Sequence, residues 1–349
     1  VDEVNKISVI VLVASLLAAV FPADAARVNG LFEASVDAAG RDDEARDAAL
    51  GAALEQVLVR LTGSRKALQA GNASGLLANP GRFVEEFRYR ETPAQDGTRQ
   101  LQLWVQFDGV SLARELRQRG LPYWGPERPD VLAWVAVDDR GRRFLVSEGG
   151  DQELGAALEK AAGRYGLPLT LPLLDLEDQR EVGFADVWGA FPDRVEAASQ
   201  RYRPQVVLTG RLDHGSAAGD WRADWQAQDQ GERGNGRAHG PSADAAVGAA
   251  MAQVAEWLAQ RYAVVTTGAG ARTLVVDNVR DLADYARVSD YLASLSPVER
   301  VDVRRVSGDE VEFNLALSAD ESSLRKLIAL GRTLQPGADP LAWQFRLNP

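Results

Sequence analysis

The chain has no cysteine, two histidines and a single methionine, Met251, in 349 residues. Without thiols there are no disulfides, thiolate metal sites or cysteine nucleophiles, so stability has to come from packing. The histidines are few enough to be weighed singly. His214 follows a strand in Leu212-Asp213-His214-Gly215, and His239 lies in Gly234-Asn235-Gly236-Arg237-Ala238-His239-Gly240. Neither has the partner spacing of a general base or a metal ligand, and Thr209-Gly210-Arg211 is not a nucleophile elbow. Positive charge is short as well: 39 Lys and Arg stand against 50 Asp and Glu, a net charge of −11. That sign opposes binding to nucleic acid or acidic lipid headgroups through net charge.

Long apolar runs are also scarce, and the one present is at the amino end. Ile7 to Phe21 is too short for a comfortable membrane span, and it leads into Pro22 and the small-x-small pattern Ala23-Asp24-Ala25. Residues 1–25 therefore read as a secretory signal peptide, although Lys6 faces Asp2 and Glu3 where a positive excess is usual. The alternative is an uncleaved anchor in the inner membrane. Removal of these residues, which hold three acids and one base, leaves a net charge of −9.

The length suggests several small units, and the pattern divides it into three. Residues 26–121 read as a βαββα domain: a first strand ending near Val36, a helix from Asp42 striped by Leu50, Leu54, Val57, Leu58 and Leu61, a stop at Gly63, and two alternating strands. Those strands carry Phe87 and Tyr89, then Leu101, Leu103, Val105 and Phe107, with Gln95-Asp96-Gly97 as their turn and Trp104 on the opposite face. Leu112 and Leu116 stripe a last helix. Leu121-Pro122-Tyr123-Trp124-Gly125-Pro126 is a stiff aromatic linker. Tyr123 and Trp124 are candidate binding residues, set against a plain role for Trp124 as a staple between domains.

Residues 127–265 read as a middle α/β domain. Val131 to Val137 is apolar on both faces, which suits the centre of a sheet. Helices are expected over Leu154 to Tyr165, Asp193 to Tyr202 and, capped by Ser242, through Tyr262, with Asn235-Gly236 as a tight turn. The loop from Asp175 to Pro192 has weak signals. Residues 271–349 change period from two to three-and-a-half and back, giving βαββαβ, the ferredoxin-like plan. Asp281 opens its first helix, Ser318 with Glu321 reads as a capping box for the second, and Gly331 is placed as a left-handed stop. RNA-binding domains share this plan, but their outward aromatics are missing and Gly308-Asp309-Glu310-Val311-Glu312-Phe313 is acidic, so nucleic acid is not expected as a partner.

Chemistry is thinly supplied. Asp175, Glu177 and Asp178, or Asp138 with Asp139, lack the ordered oxygen spacing of a calcium loop, and the glycine-rich Gly231–Gly240 stretch lacks a Gly-Lys-Ser/Thr cradle. No cofactor or metal is expected.

Several stretches form a recognisable set: Ala26-Arg27-Val28 through Thr62-Gly63, Leu101 to Asp108, Gly120-Leu121-Pro122-Tyr123-Trp124-Gly125 with Arg128-Pro129 and Trp134, and Val207 to Leu212. With these the chain resembles the exported proteobacterial family catalogued as domain of unknown function two thousand and sixty-six, over nearly all of the mature chain. The resemblance implies a periplasmic address and no established activity. The middle segment also looks like the α/β domain at the front of TolB-type periplasmic proteins, an analogy of topology alone. The expectation is an α+β protein of three small α/β sandwich domains in series, a periplasmic, non-enzymatic binding or assembly factor with envelope proteins as partners. Membrane contact is expected only through an uncleaved leader. The contrasting reading is an envelope hydrolase using Asp175, Glu177 and Asp178 near His214.

Overall fold

A computed structural model describes residues 30–69, 72–93, 99–150, 152–214, 220–268, 270–337, 339 and 342–348. The leader, the Gln95-Asp96-Gly97 turn and Leu341 lie outside the described residues.

The first segment runs β1 (Glu33–Asp37), α1 (Asp43–Thr62), the short helices α2 (Arg65–Gln69) and α3 (Ser74–Leu77), β2 (Val84–Pro93), β3 (Arg99–Phe107) and α4 (Gly109–Gln118). Its sheet is antiparallel in the order β1-β3-β2. The Asp42 carboxylate accepts from the Ala45 N–H at 3.0 Å, and Asp43 and Glu44 occupy the first turn, where negative charge meets the positive end of the helix dipole. Leu50, Leu54, Val57, Leu58 and Leu61 are then buried in one cluster with Leu103, Val105 and Phe107. Each such side chain contributes about 1.5–3 kcal/mol by leaving water.

The middle segment runs β4 (Val131–Asp139), β5 (Arg142–Leu145), α5 (Gln152–Arg164), β6 (Leu169–Thr170), α6 (Leu176–Glu181), α7 (Phe184–Trp188), α8 (Pro192–Ser199), β7 (Val206–His214), β8 (Trp221–Asp229), β9 (Glu232–Gly240) and α9 (Ala243–Tyr262). Six strands form a mixed sheet in the order β5-β4-β7-β8-β9, with β6 beside the start of β4. Strands β4 and β7 are parallel; β7, β8 and β9 form an antiparallel meander. Strand β4 is buried on both faces. Val131, Ala133, Val135 and Val137 join a cluster that includes Leu158 of α5 and Val254 of α9, while Leu132, Trp134 and Ala136 meet Val187 of α7 and Val195 of α8.

Two expectations change here. The weak-signal stretch holds α6 and α7, helices of six and five residues that are too short to show a repeating apolar stripe. Asn235-Gly236 is not a turn: it lies inside β9, and the hairpin turns at Gln230 and Gly231. A side chain at Gly234 would come within 2.6 Å of the Trp257 ring, and one at Gly236 within 2.4 Å of Gln253. These glycines are there so that α9 can lie close on the sheet, and that packing outweighs the local turn preference.

The last segment runs β10 (Gly270–Asp277), α10 (Leu282–Ser294), β11 (Val298–Ser307), β12 (Glu310–Leu317), α11 (Glu321–Leu330), β13 (Leu334–Pro336) and β14 (Gln344–Leu347). The four-stranded expectation becomes a five-stranded sheet, ordered β11-β12-β10-β14-β13. The chain after α11 runs back along the outer edge as β13 and then turns into β14, which inserts parallel to β10. The second helix starts differently as well. Asp320 caps it by accepting from the Ser323 N–H at 2.9 Å, while Ser318 is buried with its N–H on the Pro297 carbonyl. Gly331 has φ −68° and ψ 152°, an extended exit into β13 and not a left-handed stop.

Three sheets do not make three separate cores. The middle and last segments share one apolar cluster, in which Leu258 and Tyr262 of α9 occur with Leu295, Leu330 and Leu347. Polar ties cross the same boundary: Gln205 donates to the Leu330 carbonyl, and Arg332 pairs with Asp130 at 3.1 Å.

Candidate functional site

Tyr123 and Trp124 are both buried, so neither offers a ring face to solvent. Tyr123 exchanges two backbone hydrogen bonds with Val264, and the Trp124 N–H donates to the Leu61 carbonyl. Beneath Trp124 lies Arg128, its guanidinium carbon 3.9 Å from the centre of the indole ring. That guanidinium is buried and donates to the carbonyls of Arg60, Trp124, Gly125 and Tyr165 at 2.7–2.9 Å. Burial among carbonyls, away from any carboxylate, pushes it down to about 9, which leaves it protonated at neutral pH. Gly63 fits against the same ring at φ 70°, and a side chain there would come within 2.2 Å of the Ala259 methyl. The linker thus holds α1, α9 and the turn after α5 together.

The acids and the histidine of the hydrolase reading lie in separate arrangements. Asp175 caps α6 and takes a two-point contact from Arg201, at 2.7 and 2.9 Å. Arg201, then the Asp178 and Glu177 amides, hold its carboxyl well below the usual carboxylate range. Asp178 is buried and accepts from Tyr202, Leu174 and Arg201. Burial, then the hydrogen bond to Asp178, pushes the Tyr202 phenol up to about 12. His214, at the end of β7, meets Asp139 through Nδ1 at 2.6 Å and the Arg140 guanidinium through Nε2 at 3.2 Å, with its ring stacked on Trp221. A guanidinium can only donate, so Nε2 accepts and the proton sits on Nδ1. Both nitrogens are engaged. Among the described residues no hydrogen bond or ion pair links His214 to Asp175, Glu177 or Asp178.

The concave surface lies elsewhere, on the outer face of the middle sheet. Helices α7 and α8 cover that face over β4 and pack against the near side of β7, and a groove opens beside them over β7, β8 and β9. Strand register puts the outward residues in rows: Val207, Gln228 and Arg233; Thr209, Gln226 and Asn235; Arg211, Asp224 and Arg237. Along one wall run Pro192, Val195, Glu196 and Ser199 of α8, and the groove measures about 620 Å³. That is within the ~300–1,000 Å³ range of ligand sites. A second cavity of about 170 Å³ continues it over Arg211, Asp224 and Arg237.

Charge in this groove opposes that of the whole chain. Arg203, Arg211, Arg233 and Arg237 line it against Glu196 and Asp224. Asp224 accepts from Arg237 Nε at 2.5 Å and Arg211 Nη2 at 3.0 Å, with Arg222 Nε at 3.4 Å. Burial pushes its carboxyl up, but the guanidiniums of Arg237 and Arg211 outweigh that and leave it below the ordinary value. It stays ionised, and three cations converge on one anion. Sequence reasoning overlooked this site. Its only local signal is the alternation in Trp225-Gln226-Ala227-Gln228 and Arg233-Gly234-Asn235-Gly236-Arg237, which any half-exposed sheet produces.

Residues 25–125 match the model of a family described as a domain of unknown function (DUF8605). The match ends at Gly125, so it takes in the first sheet, α1, α4, Tyr123 and Trp124 and stops before the groove. An uncharacterised family thus stands behind the first segment, and it brings no activity. No curated protein matches the chain. Among the described residues no helix is long and apolar enough to cross a membrane, and no group of three or more His, Asp and Glu is placed to hold a metal ion.

Proposed function

We propose that the chain is a non-enzymatic binding or assembly protein of the bacterial cell envelope, and that its ligand lies in the groove over β7, β8 and β9. The observation that carries this is the groove's lining. It offers amides, a hydroxyl and guanidiniums, groups that hold a ligand by hydrogen bonds and charge. The engaged His214 is not part of it. The periplasmic address rests on the apolar leader and on the resemblance to an exported family; amino-terminal sequencing of the exported form, expected to begin near Ala26, checks it. We read the architecture as three α/β modules in series, the last a ferredoxin-like plan with an inserted strand. In this reading Trp124 is the staple between modules, not a contact for partners.

The groove is tested with a photoreactive residue at Gln226, at its centre, and another at Glu85, exposed on β2, each in the full chain in living cells. Discrete crosslinked products from Gln226 and none from Glu85 are expected. The same pattern from both positions would remove the groove as the binding site.

A further inference from the structure

The groove has a repeat. Gln226 and Gln228 on β8, and Arg233, Asn235 and Arg237 on β9, stand two residues apart, roughly 6.8 Å, which is also the repeat of an extended polypeptide lying along the strands. An amide side chain presents both a donor and an acceptor, the pair that each peptide unit needs. At the far row Arg237 gives only its Nε to Asp224, and its two terminal nitrogens have no protein partner among the described residues. Its side chain is 60% exposed, so these donors face the cavity mouth and solvent.

Resting on the groove reading, we propose that the occupant is an extended acidic peptide, with one of its carboxylates seated on Arg211 and Arg237. Asp224 serves as the floor of that seat: it holds the two guanidiniums in place and leaves the terminal nitrogens of Arg237 to the incoming oxygens, while Arg211 Nη1 reaches the Trp188 carbonyl at 3.5 Å. Geometry selects an extended chain through the two-residue repeat, and charge selects an acidic one through the four arginines set against two carboxylates.

The test uses the full chain and rhodamine-labelled Ala-Asp-Ala-Asp-Ala, its Asn counterpart, and inorganic phosphate as competitor, read by fluorescence anisotropy. The Asp peptide is expected to bind about tenfold more tightly than the Asn peptide, and less tightly as salt is added. Arg237→Gln is expected to weaken the Asp peptide about tenfold, whereas Arg305→Gln on the exposed edge strand β11 leaves it unchanged. Phosphate at equal concentration displaces little. Asp and Asn peptides binding alike would overturn the proposal, as would an unchanged affinity in Arg237→Gln. Phosphate competing mole for mole would make a free oxyanion the occupant and overturn it too. A Gln226 crosslink without Asp/Asn discrimination removes this inference alone. Charge-selective peptide binding without that crosslink removes the cellular groove reading and leaves the seat.

Discussion

Two arginine sites in this molecule have opposite surroundings. Arg128 is buried, with its N–H groups directed to four backbone carbonyls from three parts of the chain and an indole ring over it. Arg211 and Arg237 lie in an open groove and share one carboxylate. In the first case the partners are main-chain dipoles that cannot leave, so the cation is part of the framework. In the second the charge exceeds what the protein neutralises, and the excess is available to something else. The contrast shows that burial and partner type, more than the presence of arginine, separate a structural cation from a binding one.

The largest effect is expected at the buried site. Arg128→Met strands four carbonyls beneath Trp124 and should cost about 3–5 kcal/mol in urea unfolding. A loss under 1 kcal/mol would mean that the carbonyls find other partners. Gly63→Ala presses a methyl on Ala259 at a left-handed residue, and a loss of about 1–3 kcal/mol is expected. Next is Asp175→Asn, which breaks the contact to Arg201. Because the folded carboxyl is depressed, its stabilisation is complete above about pH 4 and fades as pH falls toward the folded value. The melting temperature of Asp175→Asn should therefore lie below wild type at pH 7, with the gap beginning to narrow once the pH falls below about 4. A gap that stays constant with pH would show that charge is not what the contact contributes. The smallest effect on stability is expected at the exposed site, where Arg237→Gln should stay within about 0.5 kcal/mol of wild type while losing the acidic peptide. An unfolding penalty there like that of Arg128→Met would erase the distinction between the two sites.

Much of the framework was legible in the sequence because it is written in local patterns. Ser242 caps its helix as read, Asp42 and Asp281 stand at the helix starts where the pattern put them, and the αL glycine after α1 stands where the stripe ends. What failed depended on distant partners. Ser318 looked like a cap, but its N–H was taken by Pro297. Asn235-Gly236 looked like a turn until Trp257 and Gln253 needed the space. The parallel insertion of β14 follows from where β13 leaves α11, which alternation alone does not encode. The groove was the least legible feature of all. Its residues come from β7, β8, β9 and α8, and only cross-strand register puts Arg211, Asp224 and Arg237 in one row.

The cluster joining the middle and last sheets also bears on synthesis. Translation delivers the amino end first, so α9 leaves the ribosome before Leu295, Leu330 and Leu347 have been made. Until the final residues arrive, the nascent chain carries an unfinished apolar seam. Premature termination after Tyr262 would leave a product that contains every strand of the groove, with that seam open to proteases and chaperones.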